Sequence, residues 1–538
     1  MLGLTMDYQL TLPAIARRAE SLYGRRPVVS RRPDQSLHRS CYAECLERAR
    51  RLAVALGRLG VRPGDRVATL CWNHHRHFEA YFAVPFLGAV LHTLNLRLHH
   101  DELAYIARHA EDRILIVDAS LLPLLERFRG RAAFQEIVVV SDDGDIPPGM
   151  LSYEALLTET DAGRFEPLEP DEHSAAVMCY TSGTTGRPKG VLYSHRALVL
   201  HSLATALAGS WAIEESDTVL AVVPMFHVNA WGLPFTTALT GAGLVLPGEH
   251  LDPRSLLDLC QHERVTFSAG VPTVWLGVLE LLDAAPGAYD LSALRAVVIG
   301  GAAAPESLMK GLERHGLHPV TSWGMNELAP VGTVGRLTTE GEALAPAARH
   351  ALRMKSGQPG ALLELRVRNE SGPLPWDGTS MGELEVRGAY TASAYYRPDE
   401  DTGCFTEDGW FRTGDIASID PLGYLEIRDR SKDLIKSGGE WISSVALEGA
   451  LMGHPAVAEA AVIGVAHPKW LERPLAAVVL REGRTATPAE LLAHLDGRFP
   501  PWWLPDAVVF VREIPRTSTG KFLKSALRES LRGHYGAR

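Results

Sequence analysis

Short β-branched runs alternate with amphipathic segments through the first two-thirds of the chain, and this alternation constrains the fold more than any other feature. Six runs have the length and composition of buried strands: 66–71, 113–117, 136–141, 218–223, 243–247 and 294–300. Between them, segments such as 42–59 and 101–109 have the spacing of amphipathic helices. Strands separated by helices predict a layered α/β fold with largely parallel sheets.

The pattern changes near residue 355. Segments 361–369 and 382–388 have strand character and are separated by turns rich in glycine and proline, which predicts a small antiparallel, β-barrel-like subdomain over about 355–428. A strand over 423–429 and a charged segment follow, and the rest of the chain is long enough for a small α+β domain. The sequence therefore predicts a large N-terminal domain, 1–428, and a mobile C-terminal domain, 429–538, with a hinge at Asp429.

Composition excludes several classes of protein. A chain of 538 residues exceeds one ordinary core, and its formal charge of −10 gives no general affinity for nucleic acid or anionic membrane. Six cysteines are scattered without a CxxC pair, which favours reduced thiols over a disulfide framework or a zinc site. The start has no signal-peptide pattern, and the longest apolar run, 80–91, is too short to span a bilayer. We expect a cytoplasmic protein without a membrane span.

Lysine is rare in this chain, with eight residues against 46 arginines. Five of the eight fall in glycine-rich or polar segments: Lys189, Lys432, Lys436, Lys521 and Lys524. Lysine offers a compact, movable charge that the rigid fork of arginine does not reproduce. Chance is one explanation for this placement; the other is that certain sites require a lysine.

The segment 180–190 carries the strongest chemical signal. It follows the apolar run 175–179 and holds Thr181, Ser182, Gly183, Thr184, Thr185 and Lys189. A strand, a loop of glycines and hydroxyls, and then a helix-forming stretch is an arrangement that wraps backbone N–H groups around phosphate oxygens. The loop lacks the GK[ST] ending of the P-loop. An ordinary polar turn is the alternative, which the density of glycines and hydroxyls disfavours.

This segment resembles the phosphate-binding loop of the acyl-adenylate-forming superfamily, which includes acyl-CoA synthetases, peptide-synthetase adenylation domains and luciferases. The likeness covers essentially the whole chain and is strongest to medium- and long-chain fatty acyl-CoA ligases. It implies that the loop holds the β- and γ-phosphates of ATP and that Thr184 helps to anchor Mg²⁺.

Two further segments have a local logic of their own. The small residues of 300–305 follow a predicted strand and leave room for a flat ring, and the resemblance makes Gly301, Ala302 and Ala303 part of an adenine-binding turn. Segment 322–327 supplies an aromatic plane and a carboxylate: Ser322, Trp323, Gly324, Met325, Asn326 and Glu327. An aromatic face suits stacking on adenine, and Glu327 suits a hard oxygen ligand for Mg²⁺. Alone, this hexapeptide would indicate only a buried tryptophan and a surface glutamate.

The sequence departs from the family pattern at two of these positions. Tryptophan stands at 323 where the family usually has tyrosine, and asparagine stands at 326 where it usually has threonine. Trp323 keeps the aromatic stack, and Asn326 can still donate a hydrogen bond to the α-phosphate. Asn326 also keeps open a different acceptor or acid, as in an amide-forming ligase, loading of a carrier protein or activation of nitrite.

The resemblance assigns the remaining site residues. Asp415 would accept the ribose hydroxyls, with Arg430 on ribose or phosphate, although Thr-Gly-Asp alone would indicate an ordinary hairpin turn. His227, Val228, Trp231 and Val271 would border the acyl pocket; without this context His227 would be a core histidine. Segment 436–441, with Lys436, Gly438, Gly439 and Trp441, would meet the pantetheine arm of CoA, with Trp441 gating the acyl tunnel. Lys521 would be the catalytic lysine.

The chemistry explains why two domains are needed. Attack of a carboxylate on the α-phosphate brings two anions together, and a positioned cation with Mg²⁺ stabilises the transition state. Thioester formation needs that lysine replaced by a thiol channel, which rotation of a small domain about Asp429 would provide. The expected substrates are a fatty or other apolar carboxylic acid, ATP and CoA. A homodimer is implied by analogy, and a catalytically silent nucleotide-binding relative is the remaining alternative.

Overall fold

A computed structural model describes residues 1, 3–163, 165–181, 187–398, 402–437, 440–516 and 522–532. The helices are α1 (Leu12–Tyr23), α2 (Tyr42–Arg58), α3 (His75–Phe86), α4 (His100–Ala110), α5 (Leu122–Glu126), α6 (Tyr153–Thr158), α7 (His195–Ala206), α8 (Leu233–Thr240), α9 (Pro253–His262), α10 (Pro272–Ala284), α11 (Glu306–Arg314), α12 (Thr339–Glu342), α13 (Pro346–Arg353), α14 (Ser444–Met452), α15 (Pro488–Leu495) and α16 (Lys524–Ser530).

The strands follow in chain order. The first thirteen are β1 (Pro27–Arg31), β2 (Leu37–Cys41), β3 (Arg66–Leu70), β4 (Val90–Thr93), β5 (Asp112–Asp118), β6 (Glu136–Val140), β7 (Leu151–Ser152), β8 (Ala175–Tyr180), β9 (Gly190–Ser194), β10 (Thr218–Ala221), β11 (Gly243–Leu246), β12 (Phe267–Gly270) and β13 (Ala296–Gly300). The others are β14 (Pro319–Gly324), β15 (Val331–Val334), β16 (Gln358–Pro359), β17 (Leu363–Asn369), β18 (Gly372–Pro373), β19 (Gly382–Gly388), β20 (Phe411–Ile419), β21 (Leu425–Arg430), β22 (Ile435–Ser437), β23 (Glu440–Ile442), β24 (Val457–His467), β25 (Leu471–Leu480) and β26 (Ala507–Phe510).

Two large sheets form the layered part of the chain. The first has the order β16-β15-β14-β13-β12-β10-β11-β1-β2, and the second has the order β7-β6-β5-β3-β4-β8-β9. Pairing is parallel in the interior of both sheets, and the antiparallel strands β2, β15, β16 and β9 lie at their edges. The six predicted strands are all present, with ends that differ by at most two residues. The predicted layered α/β fold is confirmed.

The third sheet is antiparallel, with the order β18-β17-β19-β20-β21. It matches the predicted antiparallel subdomain, and among the described residues its edge strands β18 and β21 do not pair with each other. Apolar side chains from this sheet join those of the two large sheets in one continuous core. The large part of the molecule is therefore built on three sheets that share a core.

The last hundred residues form a smaller α+β unit. Its sheet has the order β23-β22-β25-β24, with β26 added parallel to β25. Its two hydrophobic clusters draw only on residues from Ile435 onward. A large N-terminal part and a smaller C-terminal part are thus both present.

Two local predictions were wrong. The loop after β8 leads into β9, which pairs antiparallel with β8, and a helix, α7, begins only at His195. Val191 and Tyr193 are buried in the sheet, so the β-branched and aromatic character of this segment outweighs its helical tendency. Asp415 does not follow a tight turn but lies within β20, because Gly414 adopts a φ of 70° that lets the strand continue irregularly.

Among the described residues, no helix has the length and apolar character needed to cross a bilayer. The six cysteines are all free thiols, as expected from their scattered positions.

Candidate active site

A cavity of about 110 Å³ opens where β10, β12, β13 and β14 end side by side in the first sheet. Its walls include Val222, Val223, Pro224, Phe226, His227 and Val228 after β10; Gly270 and Val271 at the end of β12; Val274 on α10; Gly300 and Gly301 at the end of β13; and Ser322, Trp323, Gly324, Met325 and Asn326 at the end of β14. Open α/β sheets bind ligands at the carboxyl ends of their strands. The cavity is therefore a candidate ligand site on fold grounds alone.

Most residues predicted for the acyl and adenine sites meet in this cavity. It is lined by His227, Val228, Trp231, Val271, Gly301, Ser322, Trp323, Gly324, Met325 and Asn326. Ala302 and Ala303 are exposed and lie beyond its lining. The structure thus brings together two segments that lie about a hundred residues apart in the sequence.

A left-handed turn shapes one wall of the cavity. Val228, Asn229, Ala230 and Trp231 have φ values of 46°, 54°, 49° and 56°, and Gly232 follows with 80°. A left-handed conformation costs a non-glycine residue about 1–2 kcal/mol. The turn places Val228 and Trp231 on the cavity while Asn229 and Ala230 are buried behind it. Strain of this kind is typical of binding and catalytic sites.

Glycine is required where the indole of Trp231 packs on the end of β13. A Cβ at Gly300 would lie 3.1 Å from Cη2 of Trp231 and 2.8 Å from the carbonyl oxygen of Ser322. Gly301 has a φ of 82°, and a Cβ there would lie 3.2 Å from Cγ1 of Val271. The two glycines therefore leave the space between the acyl-side wall and the 322–326 segment open.

Trp323, Asp415 and Arg430 form one polar unit beside the cavity. The indole Nε1 of Trp323 donates to Oδ2 of Asp415 at 2.9 Å, and Nε of Arg430 lies 2.8 Å from Oδ1. Asp415 and Arg430 face each other across β20 and β21, and Arg430 also donates to the carbonyl oxygen of Thr413 at 3.2 Å. Asp415 is almost fully buried, so its carboxylate is held in a single orientation.

Glu327 is a buried carboxylate beside two cations. Its Oε1 accepts the hydroxyl of Tyr395 at 2.6 Å, and Nζ of Lys189 lies 4.9 Å from the centre of the Tyr395 ring. Burial raises the pKa of Glu327, and the Tyr395 hydrogen bond, Arg430 and Lys189 act in the opposite direction. A buried carboxylate oxygen suits Mg²⁺, and nearby cations suit the phosphates that would share the ion. Glu327 therefore fits a magnesium site.

The base of the predicted phosphate loop is closed by hydrogen bonds. The backbone N–H of Thr181 donates to the carbonyl oxygen of Lys189 at 2.9 Å, and the N–H of Lys189 donates to Oγ1 of Thr181 at 3.1 Å. Ser182, Gly183, Thr184 and Thr185 lie outside the described residues. Thr181 and Lys189 thus form the two ends of a hairpin between β8 and β9.

Asn326 connects the cavity to that hairpin. Its Nδ2 donates to the carbonyl oxygen of Tyr180 at 3.0 Å, and its own backbone carbonyl accepts the hydroxyl of Tyr193 at 2.8 Å. The side-chain amide is therefore engaged by the residue that precedes the loop. A threonine, with a shorter side chain, has a different reach at this position.

The predicted CoA-side residues that the structure describes are not part of the cavity wall. Lys436 and Trp441 are directly opposite each other in the β22–β23 hairpin, and the described residues that line the cavity include neither of them. Gly438, Gly439 and the predicted catalytic Lys521 lie outside the described residues. Asp429, the predicted hinge, is buried in β21, where it pairs with Ile416 of β20.

The structure adds several residues to the site that were not predicted individually. Phe226 and Val274 line the acyl side of the cavity, Asn95 and Arg97 reach it from the loop after β4, and Tyr395 binds Glu327. The apolar character of 222–228 and of α10 was a usable signal for Phe226 and Val274. No local pattern marks Tyr395, because its partner is 68 residues away.

Comparisons with known proteins agree with this arrangement. Family models described as "AMP-binding enzyme" and "AMP-binding enzyme C-terminal domain" match residues 16–396 and 446–521. The long-chain-fatty-acid–CoA ligase of Thermus thermophilus is 52% identical over 99% of this chain and 97% of its own length. The 3-methylmercaptopropionyl-CoA ligase of Ruegeria pomeroyi is 44% identical over 99% of both chains.

A solved structure extends the agreement to the whole fold. The anthranilate CoA ligase AuaEII in complex with anthranoyl-AMP superposes with a TM-score of 0.87, at 26% identity, over 99% of both chains. The two family models together cover the cavity and most of the small C-terminal part. The chain therefore belongs to the AMP-binding enzyme family, within the acyl-adenylate-forming superfamily.

Proposed function

We propose that the chain is an AMP-forming acid–CoA ligase. It joins a carboxylic acid to AMP with release of pyrophosphate, and then passes the acyl group to the thiol of CoA. The observation that carries this proposal is the position of two buried carboxylates, Glu327 and Asp415, with the Asp415 partner Arg430, beside an apolar cavity at one sheet edge. A site for a nucleotide beside a site for an apolar acid is what this reaction requires.

The acid that suits the cavity is fatty or otherwise apolar. Phe226, Val228, Val271 and Val274 form much of the acyl-side wall, and Trp231 closes one side of it. Specific pockets of this kind are mostly apolar with a few placed polar groups. The acids named for the two relatives, a long-chain fatty acid and 3-methylmercaptopropionate, support an unbranched apolar chain.

The nucleotide would lie along the ends of β13 and β14 and beside the middle of β20. Trp323 would stack on adenine beside Gly301, Asp415 would accept the ribose hydroxyls, and Arg430 would contact ribose or phosphate. Lys189 and the loop 181–185 would hold the β- and γ-phosphates. Glu327 and Thr184 would hold Mg²⁺, which when bound neutralises charge on the phosphates.

The two steps are both displacements. In the first, a carboxylate oxygen forms a bond to the α-phosphorus while the bond to pyrophosphate breaks and its electron pair leaves with pyrophosphate. In the second, the CoA sulfur forms a bond to the acyl carbon, the thiol proton is lost, and AMP leaves with the oxygen that came from the acid. His227, at the acyl side of the cavity, would orient the carboxyl group, and Lys521 would stabilise the first transition state.

The domain organisation follows from these steps. We place the boundary at 428/429, with Asp429 as the hinge, because the clusters of the small domain draw only on later residues. Among the described residues neither Lys436 nor Trp441 lines the cavity, and rotation of the small domain would bring them to it for thioester formation. A homodimer held through the large domain stays a prediction from the resemblance.

A panel of acids tests the function. The protein is incubated with ATP, Mg²⁺ and saturated acids of increasing length, with and without CoA, and products are identified by mass spectrometry. We expect AMP, pyrophosphate and acyl-CoA in equal amounts. An amide, an acylated carrier protein, or an adenylate that is not converted to a thioester would indicate that the acceptor is not CoA. No ATP turnover with any acid would indicate a catalytically silent relative.

A further inference from the structure

A buried lysine in the small domain has no part in the chemistry described so far. Lys524 is the first residue of α16 and is 9% exposed. Its Nζ lies 2.6 Å from Oε1 of Glu448 and 2.6 Å from Oγ of Ser444. Both partners belong to α14, so this one ammonium group joins the two helices.

The contact continues from Ser444 to the proposed hinge. The hydroxyl of Ser444 donates to Oδ2 of Asp429 at 2.6 Å, and the Ser444 backbone N–H donates to the same oxygen at 2.6 Å. The other carboxylate oxygen of Asp429 accepts the N–H of Arg430 at 2.8 Å. Lys524, Ser444 and Asp429 therefore form a continuous row of buried contacts from α16 to β21.

The charged groups along this row of buried contacts shift one another's pKa values. Burial raises the pKa of Asp429 and of Glu448, and Lys524 counters the effect on both. Burial alone would lower the pKa of Lys524, but Glu448 and Asp429 outweigh it and raise that pKa. The one ammonium group is shared by two buried carboxyl groups, so its position is tightly determined.

Lys524 also lies next to the base of the segment that carries Lys521. The N–H of Leu523 donates to the carbonyl oxygen of Pro515 at 2.7 Å, and Arg516 and Phe522 form an antiparallel bridge. Arg516 also pairs with Glu459 of β24. Residues 515–516 and 522–523 are thus fixed to each other, directly before α16 begins.

The choice of lysine at this position agrees with such a role. The chain uses 46 arginines and only eight lysines. A compact ammonium group can meet the Glu448 carboxylate and the Ser444 hydroxyl in a closed space, which a planar guanidinium fork does not. This is one of the lysines that the sequence placed in a polar segment and that the proposed reaction does not use.

We infer that Lys524 is a positioning residue for the adenylation step: through Ser444 it ties the base of the Lys521 segment to the hinge residue Asp429. This inference rests on the proposed function. It goes beyond the proposed function because Lys524 does not line the cavity in the described part of the chain and would act only on the placement of Lys521 relative to the large domain.

Asp429 contacts both parts of the molecule. The backbone of Asp429 pairs with Ile416 in the sheet of the large domain, while its carboxylate binds Ser444 of the small domain. Rotation about Asp429 changes the geometry between these two sets of bonds. Among the described residues neither Lys436 nor Trp441 lines the cavity, which favours adenylation, the step that does not need them there, as the step that these contacts serve.

The test separates the two half-reactions in the full-length protein. Ser444→Ala removes the central hydroxyl and leaves the Lys524–Glu448 pair intact, whereas Lys524→Met removes the cation. Lys310→Met is the matched lysine control, because Lys310 forms an exposed ion pair with Glu306. Ser530→Ala is the matched serine control, because Ser530 bonds only locally to Leu527 in the described residues. Thermal unfolding confirms that each variant is folded.

ATP–pyrophosphate exchange reports adenylation, and conversion of a supplied acyl-adenylate to acyl-CoA reports transfer. We expect Ser444→Ala and Lys524→Met to lose exchange by about tenfold or more, since small misplacements of catalytic groups cost this much. Transfer should stay within about twofold, and the two control variants should change neither rate.

Equal loss of both half-reactions in folded protein would reduce Lys524 to a structural role, and unchanged exchange in Ser444→Ala would overturn the inference. If Lys524→Met does not fold, Ser444→Ala alone decides. Failure of the unsubstituted protein to exchange pyrophosphate with any acid would instead reject the proposed function, independently of the variants.

Discussion

The indole of Trp323 donates to the carboxylate of Asp415, with Nε1 and Oδ2 2.9 Å apart. The hydrogen bond joins two strands of different sheets, β14 and β20, and couples the aromatic wall of the cavity to the carboxylate proposed to bind ribose. Adenine and ribose would therefore meet a single rigid unit.

Trp323→Phe tests this coupling, because phenylalanine keeps an aromatic face and removes the N–H donor. A hydrogen bond to a charged group contributes about 1.5–3 kcal/mol. We expect the KM for ATP to rise about tenfold or more, measured by pyrophosphate release at saturating acid. Trp376→Phe is the control, because Trp376 is 43% exposed. An unchanged KM in Trp323→Phe would show that this hydrogen bond does not orient Asp415 for binding ATP.

Tyr395→Phe tests the protonation of Glu327. Its hydroxyl lowers the pKa of Glu327 against the raising effect of burial, so its loss raises that pKa further. The reaction needs the carboxylate form, which is lost as the pH falls through the pKa. We expect the acidic limb of kcat/KM to move to higher pH.

Tyr390→Phe is the matched control for that profile. Tyr390 is also buried, and its hydroxyl donates to the carbonyl oxygen of Ala361 at 3.0 Å, whereas Glu327 accepts the hydroxyl of Tyr395. Its acidic limb should stay where it is in the unsubstituted protein. Equal shifts of the acidic limb in both variants would show that Tyr395 does not control the protonation of Glu327.

Glu327→Gln should abolish activity and stabilise the ligand-free protein. Burial raises the pKa of Glu327 in the folded protein above its ordinary value of 4.5. Below pH 4.5 the side chain is protonated in both the folded and the unfolded state and does not destabilise the fold. As the pH rises through the folded-state pKa, the buried group must ionise, and the free energy of unfolding falls. Glutamine does not ionise. We expect a melting temperature roughly 1–3 °C higher at neutral pH and no difference below pH 4.5.

Glu340→Gln serves as the control for that measurement, since Glu340 is exposed and its charge is solvated. Its melting temperature should follow that of the unsubstituted protein at each pH. A lower melting temperature in Glu327→Gln at neutral pH would show that the buried carboxylate stabilises the fold, and would contradict the predicted destabilisation by its burial.

Val274→Trp tests which side of the cavity holds the acid. Val274 lies on α10 at the cavity wall, and a larger side chain there would shorten the space for an acyl chain. We expect kcat/KM to fall about tenfold or more for acids of eight carbons and longer, and less for short acids. Thr273→Trp, on the exposed side of the same helix, should leave the preference unchanged. A uniform loss across all acids would place the acyl chain elsewhere.

Local patterns predicted the elements of the large sheets well, because buried strands such as β5 and β13 carry continuous apolar runs. They failed after β8, where pairing with β8 favours the strand β9 over the helix that was predicted to follow the loop. They also failed at Asp415, where one left-handed glycine keeps a turn-like sequence within a strand.

The residues of the site also separate into those that local motifs predict and those that only the tertiary fold brings together. Residues at strand ends, such as Gly301 and Trp323, were predicted from motifs and meet in the cavity. Tyr395 and the contacts of Lys524 were not, because their partners lie 68 and 76 to 80 residues away and only the tertiary fold brings them together. The left-handed turn at 228–231 is likewise imposed by its surroundings, since valine and tryptophan disfavour that backbone conformation.

The most direct test of the central claim follows the oxygen atoms of the acid. The protein is supplied with a fatty acid labelled with ¹⁸O in both carboxyl positions, together with ATP, Mg²⁺ and CoA, and the products are analysed by mass spectrometry. Because the carboxylate attacks the α-phosphorus and AMP later leaves with that oxygen, we predict AMP that carries one ¹⁸O and acyl-CoA that carries the other. Unlabelled AMP, or label in inorganic phosphate with ADP as the product, would contradict an acyl-adenylate route.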